Sequence, residues 1–172
     1  SYAKGMGPFP SDIYRAEFPY LYHAPKGYSE QEAIAYYLDK LNTLFDEAAP
    51  ASDIAAMIVE PVQGEGGFVP APIEWVKAVR KICDDNGILL IADEVQCGNC
   101  RSGRYYASEY WKEAGAAPDI IATAKSLGGG VPISAITACG NYWRNILWKS
   151  SCLCFCTQGN GYNAGRRLCR QS

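Results

Sequence analysis

Three short apolar runs set the terms for this chain: residues 55–59 (AAMIV), 88–92 (ILLIA) and 119–123 (DIIAT). The middle run is continuously apolar, as a strand is when both faces of its sheet are covered. Helix-length sequence separates the runs. Pro72 opens a segment whose Ile73, Val76, Val79, Ile82 and Cys83 share one helical face, and Gly87 suits its left-handed C-cap. Upstream, Ser29 and Glu32 form a capping-box pair for a helix over residues 30–47. There Ile34, Tyr37, Leu38, Leu41, Leu44 and Phe45 recur at three- and four-residue steps. A helix is expected around residues 106–114 and a further strand over 133–138. Strands alternating with helices predict an α/β fold: a mostly parallel sheet with flanking helices and right-handed crossovers.

No apolar run in the 172 residues reaches the roughly 18 that a membrane span needs, so a membrane is not an expected partner. A net charge of −2 gives no reason to expect nucleic acid either. That charge is unevenly spread. Residues 1–140 hold 11 basic and all 18 acidic residues, a net −7, whereas residues 141–172 hold five basic residues and no acid. Cys152, Cys154, Cys156 and Cys169, half of the eight cysteines, also lie in that last stretch. The chain therefore reads as an α/β body over 1–140 and a distinct tail over 141–172, expected to be disordered or to come from a shifted reading frame or joined sequence, with a divergent natural tail as the alternative. Residues 1–28, rich in Pro, Gly and Tyr, read as an irregular aromatic segment.

In open α/β sheets ligands sit beyond the carboxyl ends of the strands. Glu60, Asp93 and Lys125 fall at three successive strand ends. Asp93 follows an apolar run, so its carboxylate needs a partner that favours the anion. Magnesium held by a nucleotide is one candidate, because ILLIADE is similar to a Walker B strand. The Gly-x-x-x-x-Gly-Lys-Ser/Thr loop which that reading requires is absent. A protonated heterocyclic nitrogen is the other natural partner. Lys125 lies among small residues with Gly128, Gly129 and Gly130 behind it, open to a planar ligand. If partly buried, its amine would be a nucleophile toward an aldehyde. An Asp for a pyridinium nitrogen and a Lys for an aldehyde are what proteins contribute to pyridoxal phosphate chemistry.

Other chemistries find less support. Cys97 and Cys100 form a CxxC, but the tail cysteines alternate and supply no second pair, so they read as chance thiols and no metal site is expected. His23 is the only histidine and reads as structural, which leaves a Ser-His-Asp hydrolase without its base. Tyr105, Tyr106, Tyr110 and Trp111 read as helix packing.

Three segments together resemble the class III aminotransferases: Ile58-Val59-Glu60-Pro61-Val62-Gln63-Gly64-Glu65-Gly66-Gly67, Leu90-Ile91-Ala92-Asp93-Glu94-Val95-Gln96, and the stretch from Pro118 through Lys125 to Gly130. The likeness covers about residues 1–138 and leans toward the 4-aminobutyrate members over the acetylornithine, ornithine or diamine ones. It implies the large domain of a fold-type I transferase dependent on pyridoxal 5′-phosphate. Asp93 would accept the pyridinium N–H, Val95 would pack on the ring and Gln96 would bond near its phenolic oxygen. Lys125 would hold the cofactor aldehyde as an imine and then shuttle the substrate proton. Glu60 and Glu65 would line the substrate site. The expected reaction passes an amino group from 4-aminobutyrate, or a similar ω-amino acid, to 2-oxoglutarate, in a cytoplasmic homodimer.

The same likeness implies a parent more than twice this length. The phosphate-binding helix terminus and the ring cover would lie before Ser1, and the carboxylate-binding arginine would lie after Ser172. No family pattern is recognised from about Gly140 onward. A catalytically inactive fragment is therefore the alternative reading for this chain.

Overall fold

The computed structural model describes residues 12–138. The expected tail over 141–172 lies outside them. Helix α1 (Glu30–Glu47) has the predicted bounds and capping box: the Ser29 side chain accepts from the Glu32 amide, and the Glu32 carboxylate accepts from the Ser29 amide at 2.7 Å. Helix α2 (Ile73–Asn86) follows Pro72 and stops at Gly87, whose φ of 66° is the left-handed cap expected there. Strands β1 (Ala56–Val59), β4 (Leu89–Asp93), β5 (Ile120–Thr123) and β6 (Ala135–Ala138) form one sheet in that order. The first three are parallel, and β6 runs antiparallel to β5. A two-stranded ribbon, β2 (Val62–Gln63) with β3 (Val69–Pro70), fills the loop between β1 and α2.

One sheet face is dry. Val59, Leu90, Ala92 and Thr123 are buried there, and α2 packs against β4 with α1 stacked outside it. Trp75, Val76, Val79 and Cys83 of α2 meet Ile34, Tyr37 and Leu41 of α1 in one core. The opposite face departs from the expectation of full cover. By register, Ile58, Ile91, Asp93, Ala122 and Ile136 share it, and Ile58 is 62% exposed and Ile136 46%. Continuous apolarity in ILLIA thus marks a strand with one face sealed by the described residues and the other open.

Two elements are shorter than predicted. Helix α3 spans Glu109–Glu113 because the amides of Ala107 and Ser108 point at Glu94 and that of Tyr106 at Glu109. Strand β6 begins at Ala135 because Pro132 offers no amide and Ile133 lies over Gly128. At the amino ends of the strands, Asp119 Oδ2 accepts from the Leu90 amide and from Arg80 Nη1, both at 2.8 Å. Arg80 also meets Asp84 at 2.8 Å. This half-hidden ion pair locks α2, β4 and β5 together away from the strand ends where the candidate residues gather. His23 is exposed and stacks on Tyr20 with ring centroids 4.1 Å apart. Among the described residues no helix is long and apolar enough to cross a membrane.

Candidate active site

The carboxyl ends of β4 and β5 deliver two chains of residues to one cleft. After β4, Asp93 is half-buried and its Oδ1 accepts from the Val95 amide at 3.1 Å. Its other oxygen has no hydrogen-bond partner among the described residues. After β5, Lys125 begins a short turn over Lys125–Gly128. Its Nζ donates to Gln96 Oε1 at 3.2 Å. Lys125 is exposed, so burial is not what would activate it.

The cleft has a volume of about 410 Å³. Gln96, Lys125, Arg101 and Ser102 line it with Val62 and Phe68. Gln96 lies so close over Gly64 that a Cβ there would sit 2.3 Å from Gln96 Oε1. A glycine at that point gives the amide its seat. Asp93 and Val95 stand beside the cleft and do not line it. Glu60 and Glu65 do not line it either. One Glu60 oxygen accepts from the Gly64 amide at 2.7 Å, so this carboxylate shapes the Gly-rich loop. Glu65 is exposed on the same loop.

Backbone strain concentrates here. Five described non-glycine residues have positive φ, and Phe68, Asn99, Cys100 and Lys125 are four of them. Phe68 and Lys125 line the cleft, while Asn99 and Cys100 lead directly into Arg101. Such conformations cost about 1–3 kcal/mol each and persist where their surroundings hold them. Asn99 shows how: its Nδ2 donates to Thr123 Oγ1 at 3.0 Å and lies 3.5 Å from the Ala124 carbonyl, tying the β4 loop to the approach to Lys125.

Sequence reasoning passed over Glu94. It is fully buried, and its carboxylate accepts from the Ser108 amide at 2.6 Å and from the Ala107 amide at 3.0 Å. Cys97 Sγ donates to it at 3.2 Å. Gly98 packs against its backbone so tightly that a Cβ would lie 2.7 Å from the Glu94 carbonyl oxygen. Glu94 thereby closes the loop that carries Gln96, Arg101 and Ser102. Its signal was present as a second acid after an apolar run, but adjacency to Asp93 made it read as one more strand-end charge.

The two thiols of the CxxC differ in setting. Burial pushes the Cys97 thiol up to about 12, and Glu94 adds to the shift. Cys100 is exposed, and both are free thiols. No cluster of metal-binding side chains occurs among the described residues.

The Aminotransferase class-III family pattern matches residues 1–163. The chain belongs to the class III aminotransferases. These are pyridoxal-phosphate-dependent enzymes, and the mostly parallel sheet is that of their large domain. The match runs past Gly140, where sequence reading found no further likeness. This class III chain is 47% identical over 141 residues to 5-aminovalerate aminotransferase DavT of Pseudomonas putida, covering 82% of the chain and 31% of that protein. It is 43% identical to 4-aminobutyrate aminotransferase GabT of Escherichia coli, covering 79% and 30%. The chain thus spans about a third of the length of these curated relatives. Among solved structures, an (S)-enantioselective omega-transaminase from Thermomicrobium roseum matches with a TM-score of 0.74 at 29% identity, covering 92% of the chain and 34% of that structure. A PLP-bound amine transaminase from an uncultivated Pseudomonas species matches at 0.69 and 36%, covering 80% and 30%.

The class III chain carries a donor set that fits the cofactor. A carboxylate with a free oxygen, an amide and a primary amine stand at neighbouring strand ends, and the last two are already hydrogen-bonded to each other.

Proposed function

We propose that this chain forms part of an ω-amino-acid aminotransferase, supplying its ring-nitrogen acceptor and its lysine. The observation that carries the reading is Lys125 Nζ facing the cleft 3.2 Å from Gln96 Oε1, on the strand adjacent to the one that ends in Asp93. Asp93 would accept the pyridinium N–H through the oxygen that the Val95 amide leaves open. Val95 would pack on the ring, and Gln96 would bond near the phenolic oxygen. Bound pyridoxal phosphate supplies a sink for the electron pair left on the substrate carbon when it loses its proton. With the cofactor bound, Lys125 Nζ would take that proton from the amine-bearing carbon of the substrate and hold it for return. Glu60 and Glu65 border the substrate through the Gly-rich loop. 4-Aminobutyrate or 5-aminovalerate is the amino donor and 2-oxoglutarate the acceptor. The names of the relatives support this class, and a homodimer in the intact enzyme completes the reading.

Adding pyridoxal phosphate to the 172-residue chain tests it. A visible absorption band should form and be trapped by borohydride on the peptide containing Lys125. It should vanish in Lys125→Ala and survive in Lys112→Ala. Equal labelling of both variants refutes the assignment.

A further inference from the structure

Lys125 stands on a backbone that lysine rarely adopts. It is the first central residue of a turn closed by the Leu127 amide on the Ala124 carbonyl at 3.0 Å, and its φ is 47°. Glycine, asparagine or aspartate usually fills such a place, because a Cβ there crowds the neighbouring carbonyl. Lys125 is exposed, so packing of its own side chain is not what holds the turn. A strained backbone of this kind persists only when its surroundings fix it.

Two side chains of the β4 loop reach this lysine from opposite ends. Gln96 Oε1 accepts from Nζ at the tip. Asn99 acts at the base. Its Nδ2 donates to Thr123 Oγ1 at 3.0 Å and lies 3.5 Å from the Ala124 carbonyl, the same oxygen that closes the turn. A carbonyl only accepts, so it fixes the amide with its nitrogen inward. Thr123 is buried, which shields the contact from water. The place of Asn99 is itself set: the Gly98 amide donates to the Glu94 carbonyl at 3.1 Å and the Cys100 amide to the Tyr105 carbonyl at 3.2 Å. Its φ of 55° is one that asparagine tolerates. The Gln96 contact ends on a flexible four-carbon stem, whereas the Asn99 contact acts on the backbone from which that stem grows.

We infer that Asn99 is the positioning residue of Lys125: from the β4 loop it holds Thr123 and Ala124, and so keeps the left-handed turn that aims the amine into the cleft. This rests on the reading of Lys125 given above. Without the Asn99 amide the turn relaxes toward negative φ, the Cα–Cβ direction of Lys125 swings, and Nζ leaves Gln96. The amine then meets an aldehyde only as an exposed lysine such as Lys112 does.

Four substitutions separate the parts of this contact. Asn99→Gly keeps the positive φ and removes the amide, and Asn99→Asp keeps a side chain that tolerates it but has no donor. Thr123→Val removes the acceptor, and Thr123→Ser keeps it. The 172-residue chain is treated with pyridoxal phosphate and borohydride, and label on the Lys125 peptide is measured against label on the Lys112 peptide. Hydrogen exchange at the Leu127 amide is followed without cofactor. Asn99→Gly, Asn99→Asp and Thr123→Val should lower the labelling ratio about tenfold, the scale of one lost hydrogen bond. Leu127 should lose protection in all three while the amides of β4 and β5 keep theirs. Thr123→Ser should match the unaltered chain in both measurements. Unchanged labelling in both Asn99 variants overturns the inference. So does lost labelling with Leu127 still protected, because Asn99 would then act by touching the cofactor. A general loss of protection through β4 and β5 in both Asn99 variants also overturns it, since Asn99 would then hold the fold and not the lysine. An unaltered chain with no preference for Lys125 sinks the Lys125 reading instead, and exchange at Leu127 still decides whether Asn99 holds the turn.

Discussion

Removing the Glu94 carboxylate should open the β4 loop. In Glu94→Ala, the amides of Ala107 and Ser108 lose acceptors at 3.0 and 2.6 Å inside a buried site. Each orphaned buried donor costs about 1–3 kcal/mol, and the vacated volume adds to that. The total is about 3–5 kcal/mol, a large share of the 5–15 kcal/mol that typically holds a domain together. Glu94→Gln separates shape from charge. It keeps the volume and one acceptor but turns an amide donor toward a backbone N–H, for about 1.5–3 kcal/mol. Urea denaturation reads the stability. Hydrogen exchange at Ala107 and Ser108 reads the mechanism, and both amides should lose protection in Glu94→Gln before the sheet does. A Glu94→Gln chain within about 0.5 kcal/mol of the parent, with both amides still protected, refutes the clamp.

Two further outcomes follow from the same contacts. Gly64→Ala should displace Gln96, whose Oε1 lies 2.3 Å from the new Cβ, and so release Lys125 Nζ; pyridoxal phosphate affinity should drop about tenfold while the urea midpoint stays nearly fixed, because the atom displaced is the end of a flexible side chain. Burial raises Cys97 to about 12 and Cys83 to about 11 from an ordinary value of 9.0, so the unfolded chain ionises first. Their contribution to stability is complete below pH 9 and declines as pH rises from 9 toward 12, and Cys97→Ala should flatten that decline. Peptide mapping after alkylation at pH 8 should find Cys100 labelled and both buried thiols untouched.

Much of this fold was legible because its signals are local. Ser29 with Glu32, Pro72 with Gly87, and the two amphipathic faces fix α1 and α2 within a residue, since caps and periodicity act over a few positions. Lys125 and Gln96 were legible as members of a pattern, and the structure brings them together. What stayed hidden depends on contacts across the fold. Asp119 reads as the polar start of a strand until Arg80 is seen reaching it from α2. Glu94 needs Ala107 and Ser108, more than ten residues away, to show what it binds. The left-handed turn at Asn99 and Cys100 stayed hidden because it uses residues without glycine's usual signature.

The open face of the sheet has a practical consequence. Ile58 and Ile136 lie on the same side of the sheet as Asp93, so exposed apolar side chains stand on its first and last strands. Such surface is adhesive in water. Produced by itself, the chain should bind hydrophobic dyes and self-associate as concentration rises. Its solubility, more than its helices, will decide how readily its chemistry can be measured.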